Sequence, residues 1–192
     1  RNQNTPYAPI TELWDFVSQS SGTTEDSVLP IATEDTLSGM GIFHKGVMVA
    51  EADSEKAMIY KLLSGTAHSI SIKMETSQFN LTNRKKAKVN LNRSTFPPTA
   101  EISAEIDTRL IYGTQDDVIK LEAYLNTLAT DFLTECSSFS ADILGIGNVA
   151  RAKYLTEADF APHNSREFVK VLNYSTSILP IIGRNTFYLQ NF

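Results

Sequence analysis

From Ala100 to Tyr112 apolar and polar side chains alternate almost without a break, and immediately afterwards the period changes to that of a helix. Ala100, Ile102, Ala104, Ile106, Leu110 and Tyr112 share one side of the first run. Glu101, Ser103, Glu105, Asp107 and Arg109 share the other. Such alternation belongs to a strand with one dry and one wet face, which is the habit of antiparallel sheets. From Gln115 to about Ser137, Val118, Leu121, Leu125, Leu128, Phe132 and Cys136 recur at spacings of three and four, one continuous helical stripe. The dry sheet face needs a cover and the stripe supplies one. The expected fold class is therefore α+β: an antiparallel β-sheet covered on one face by a long helix and shorter helices, a two-layer sandwich.

The neighbouring segments fit that frame. Met40–Phe43 and Val47–Ala50 flank His44-Lys45-Gly46 and read as a hairpin. Asp53 is placed to cap a helix whose apolar face is Ala57, Met58, Leu62 and Leu63, and Gly65 to end it. His68–Met74 and Lys86–Asn92 alternate as further strands, with Pro97-Pro98 in the connection to the Ala100 run. Lys86 and Lys88 are expected opposite Glu101 or Glu105. Toward the C-terminus, Phe168–Leu172 and Ile178–Leu189 read as closing strands, with Pro180 at an edge or bulge, after a break at Ala161–Asn164. At the other end, residues 10–17 read as a helix, residues 18–27 as a polar loop and Val28–Ile31 as a short apolar contact. This divides the chain into residues 1–36, a connector or the end of a preceding domain, and residues 37–192, a C-terminal α+β domain.

Composition narrows the chemistry. The chain has 192 residues, of which 42% are hydrophobic and 20% charged, and a net charge of −5. That balance suits a globular domain and argues against a nucleic-acid partner, which needs a basic face. The basic cluster Arg84-Lys85-Lys86 with Lys88 reads as a solvated strand face. With one cysteine, Cys136, no internal disulfide is possible, and its register in the helical stripe makes it a buried thiol. His44, His68 and His163 show no metal-pair spacing, so no metal is expected. Asp116-Asp117 suit the positive end of the long helix rather than paired-acid catalysis. No G-x-S-x-G elbow occurs, and no residue set calls for a catalytic explanation. We expect no enzymatic activity and no cofactor. The sequence carries no signal peptide, lipobox or transmembrane run, and its start at Arg1 reads as that of a piece of a longer protein.

One phrase allows two readings. Gly145-Ile146-Gly147-Asn148-Val149-Ala150 is a G-x-G-x-x-A pattern, which in a βαβ unit would cradle a dinucleotide. Here it follows a helix instead of a buried strand. The alternative is a tight turn between helices, in which Gly145 and Gly147 permit close packing or positive φ.

With these residues assembled, the chain resembles the Ger(x)C family, the C subunit of nutrient germinant receptors of bacterial spores. Ala141-Asp142-Ile143-Leu144-Gly145-Ile146-Gly147, followed by Arg151, Lys153 and Tyr154, is similar to that family's most specific phrase. Gly41-Ile42-Phe43-His44-Lys45-Gly46-Val47-Met48-Val49 is similar to its opening hairpin, and Asp53-Ser54-Glu55 sits where it starts a helix. The likeness covers roughly residues 37–190. Departures are Leu155–Asn164, where Trp-rich pieces are common, and a missing second acid after Asp53. The resemblance marks Gly41, Phe43, Asp142, Gly145, Gly147, Arg151, Lys153 and Tyr154 as family-signature residues with a structural or partner-contact role.

The resemblance further implies a non-enzymatic lipoprotein on the outer surface of the spore inner membrane. Its anchor would be an N-terminal lipid outside this chain, and its partners the membrane-embedded A and B subunits of the receptor. Two other readings stand beside it: a small-ligand or nucleotide-binding enzyme domain using the Gly145-x-Gly147 turn, and an extracytoplasmic assembly or adhesion module.

Overall fold

The computed structural model describes residues 26–32, 37–92, 94, 96–153 and 165–183. The helix expected at residues 10–17, the break at Ala161–Asn164, Tyr154 and the end of the last strand lie outside the described residues. The fold is α+β, as expected, but the described residues form two sheets. The first is antiparallel, in the order β1 (Ser27–Ala32), β2 (Leu37–His44) and β3 (Val47–Asp53). β2 and β3 form the expected hairpin: His44 pairs with Val47, and the turn residues Lys45 and Gly46 have φ of 48° and 79°. Two successive left-handed residues match the right-handed twist of the strands they join.

The short apolar stretch Val28–Ile31 forms most of strand β1. It pairs with β2 along its length, Val28 opposite Ile42 and Leu29 opposite Gly41, and Val28 is buried. A proline in mid-stretch and a short apolar run hid this strand; Pro30 is tolerated because β1 is at the sheet's edge among the described residues.

Helix α1 (Ser54–Ser64) begins and ends where its caps require. The Asp53 carboxylate accepts a hydrogen bond from the Lys56 amide at 2.9 Å, and Gly65 turns the chain away with φ 77°. A β-carbon on Gly65 would lie 2.5 Å from the Lys85–Lys86 peptide, so glycine is required here both by conformation and by space. α1 packs on both sheets.

The second sheet runs β4 (Ala67–Lys73), β5 (Gln78–Asn83), β7 (Thr99–Tyr112) and β6 (Lys88–Asn92), with β8 (Asn173–Ile182) also on β7. β7 is long enough to pair β6 at its start and β5 at its end, while β8 runs alongside Thr99–Thr108. β5 was not apparent in the sequence, because its dry face carries Phe79 and Leu81 beside a polar residue, Asn83. Asn83 is buried at no loss, since its amide donates to the Leu62 carbonyl at 2.6 Å and its oxygen accepts from the Lys85 amide at 3.0 Å. Lys88 stands opposite Ser103, and Glu101 meets Asn90 and Asn92 rather than a lysine.

β8 is parallel to β7, so the sheet is mixed, not antiparallel throughout. Parallel neighbours require a crossover, and here it includes three helices: α2 (Gln115–Ser138), α3 (Ile146–Arg151) and α4 (Ser165–Lys170). α4 replaces the strand expected at Phe168–Leu172. Its buried residues Phe168 and Val169, with Leu172 just beyond, lie at helical spacing, which so short a run does not distinguish from alternation.

The long helix is as expected. Val118, Leu121, Leu125, Phe132 and Cys136 are buried, in one core with Ala100, Ile102, Ala104 and Ile106 of β7. Each large side chain so buried contributes roughly 1.5–3 kcal/mol.

Candidate functional site

The signature phrase begins where α2 ends. Ser140 takes φ 56°, and the Ala141 amide reaches back to the Cys136 carbonyl at 2.9 Å, which turns the chain sharply. Ala141, Asp142, Ile143 and Leu144 are all buried. Gly145, at φ 71°, then starts α3. The left-handed conformation is cheap only for glycine, which accounts for that residue.

Asp142 organises the turn. Its Oδ1 accepts from the Ile146 amide and its Oδ2 from the Gly147 amide, both at 2.7 Å. These are first-turn amides of α3 with no partner inside the helix, and a carboxylate there also suits the helix dipole. Gly147 is buried as the second residue of α3. The same geometry disposes of a phosphate cradle: helix α2 precedes the glycines, and the two amides are already bound to a buried negative charge.

Asp142 is tied in turn to Asp26. The Asp142 amide donates to Asp26 Oδ2 at 2.8 Å, and the Asp26 amide donates to the Asp142 carbonyl at 2.9 Å. Asp26 is 7% exposed, and its other oxygen, Oδ1, lies 2.6 Å from His44 Nδ1 at the end of β2. A chain of hydrogen bonds therefore runs from the β2–β3 hairpin through Asp26 and Asp142 to the start of α3. Near it sits Tyr174 of β8, whose hydroxyl is pushed well above its usual range by burial and by Asp142, with a hydrogen bond to Ser137 acting the other way.

The signature residues thus fall into three places. Asp142, Gly145 and Gly147 are together in the turn. Gly41 and Phe43 lie on β2: a β-carbon at Gly41 would come within 2.9 Å of the Phe43 ring and 3.1 Å of the Met48 sulfur, so glycine leaves that ring its room. Arg151 and Lys153 are exposed at and just beyond the far end of α3. Asp26 and His44 were missed in the sequence as linking residues. Asp26 lies in a polar stretch 116 residues from its partner, and no spacing rule spans such a gap.

The remaining candidates for chemistry are quiet. Burial, with Glu135 beside it, pushes the Cys136 thiol up to about 12, so it is a packing residue rather than a nucleophile. Among the described residues no three His, Cys, Asp or Glu side chains are grouped to hold a metal ion. None of the described helices is long and apolar enough to cross a membrane.

Comparison with known proteins agrees with this architecture. No curated protein matches the chain. A solved structure described as the GerBC protein superposes with a TM-score of 0.69 at 12% identity, over 94% of this chain and 66% of that one. The likeness shows a shared fold, and the chain spans about two thirds of the solved protein's length. The family described as "Spore germination B3/ GerAC like, C-terminal" matches residues 38–171, which include the hairpin, the long helix and the Asp142 turn, and the chain belongs to that family.

Proposed function

We propose that this chain is the C-terminal part of a germinant-receptor C subunit, which acts without enzymatic chemistry, through protein contacts made at α3. Family membership supports the spore-germination role. The observation that carries the contact reading is the asymmetry of α3. One end is held by buried hydrogen bonds to Asp142, and the other offers Arg151 and Lys153 at the surface. A capped helix fixes the backbone from which Arg151 extends, so less backbone entropy is lost there on binding.

On this reading the partners are the membrane-embedded A and B subunits. The complete protein is held at the outer surface of the spore inner membrane by a lipid attached N-terminal to this chain. Co-purification of the full-length protein with its membrane subunits tests this. Arg151→Glu with Lys153→Glu is expected to abolish co-purification while the far-UV circular dichroism of the domain is unchanged. Undiminished co-purification would refute α3 as the contact.

A further inference from the structure

The tip of the β2–β3 hairpin is exposed, whereas α3 seats Ile146 and Ala150 in the core. At the tip, Val47 and Met48 are 66% and 47% exposed. His44 pairs directly with Val47 across the hairpin, so the tip and the outer end of the Asp26 chain are one place. From there each link is short and increasingly buried. His44 is 23% exposed, Asp26 7% and Asp142 5%. The last link holds the Ile146 and Gly147 amides.

We infer that Asp26 couples the hairpin tip to α3, so that a contact pulling on His44 alters how firmly the start of α3 is held. Asp26 uses both carboxylate oxygens, one toward each side, and its own amide clasps the Asp142 carbonyl. If the His44 side is removed, the Asp26 carboxylate loses one of the bonds that orient it, and the Asp142 amide a well-aligned acceptor. Asp142 is then held less well, and with it the cap on α3. Coupling of this kind needs a continuous chain of contacts with an element at the end that can loosen, and a helix of six residues capped by one side chain is such an element.

The inference deepens the reading of α3 as a contact, but its test requires no partner. Native-state hydrogen exchange read by NMR on the full chain follows the Ile146 and Gly147 amides. In His44→Ala their protection is expected to fall by about tenfold more than that of Leu121 and Leu125 in the core helix. Lys45→Ala, which alters the same turn but no link, is expected to leave the difference unchanged. Equal loss at α2 and α3 in His44→Ala, or the same selective loss in Lys45→Ala, overturns the coupling. If His44→Ala does not fold, His44→Gln takes its place, with the same expected selective loss and the same overturning result. Intact coupling with undiminished co-purification of the α3 double variant would refute only the contact reading, whereas loss of co-purification without coupling would refute only this one.

Discussion

At the scale of single residues, Asp142 is the side chain that holds the signature turn. Its carboxylate meets two amides at 2.7 Å in a buried setting. Asp142→Ala leaves both amides without that acceptor, and each orphan costs about 1–3 kcal/mol. A loss of about 2–4 kcal/mol in urea unfolding is therefore expected. Asp142→Asn, which keeps one acceptor oxygen, should lose less. An Asp142→Ala protein as stable as the wild type would show that the caps contribute nothing. The sequence marked Asp142 through the phrase it belongs to, but not what its carboxylate does. A cap lying three residues ahead of Gly145 matches no familiar spacing. Asp117 was easier to place. It starts α2, and hydrogen bonds from the Thr114 amide, then Lys120, then the Thr114 hydroxyl hold its carboxyl well below the usual carboxylate range. A depressed acid stabilises the fold above its unfolded value, near pH 4, and that contribution fades as pH falls toward the lower folded value. Below about pH 4 the stability of the wild type should thus fall more steeply than that of Asp117→Asn. Parallel pH profiles from thermal melts would contradict this.

Elements were legible where one period ran long enough. β7 and α2 are both long, and each buries one face of a clean stripe. β5 and α4 are six residues each, too short for period to outweigh a buried Asn83 or a β-branched Val169. What the stripe of α2 did not disclose is the polar row beside it. Asn126 Nδ2 donates to the Ile178 carbonyl at 3.1 Å, and its Oδ1 accepts from the Ile178 amide at 2.8 Å. Its own carbonyl accepts from Thr176 Oγ1 at 3.0 Å. The side chain thereby does for the outer edge of β8 what another strand would do, and at Pro180, two residues on, no amide is present to need a partner. A covered edge is a defence against pairing with other chains. Asn126→Ala should cost about 2 kcal/mol. It should also give concentration-dependent association by light scattering, while Asn126→Asp, still an acceptor, should lie between. A monomeric Asn126→Ala protein of unchanged stability would show that the edge needs no such cover.

For the whole molecule, the α+β class followed from pattern alone, whereas topology did not. A parallel β8 is set by the route of the chain over α2, α3 and α4, and local periodicity contains no information on the direction of a returning strand. The same holds for the N-terminal part. In the sequence, residues 18–27 read as a polar loop and Val28–Ile31 as a short apolar contact, yet Ser27–Ala32 pair with β2 and Asp26 holds the Asp142 turn. We therefore expect the folding unit to include them. A chain shortened to begin at Leu37 would lose the buried Val28 side chain, the β1 ladder and the Asp26 hydrogen bonds to His44 and Asp142. Summed at about 2 kcal/mol for the side chain and about 1 kcal/mol for each hydrogen bond at Asp26, the loss is roughly 5 kcal/mol, a large share of the stability of a domain this size. The shortened chain should melt far below the complete one or fail to fold. Asp26→Asn in the complete chain should fall between them, because it keeps the strand and weakens only the tie to His44 and Asp142. A shortened chain with the melting temperature of the complete one would place the domain boundary at Leu37 and reduce β1 to an accessory strand.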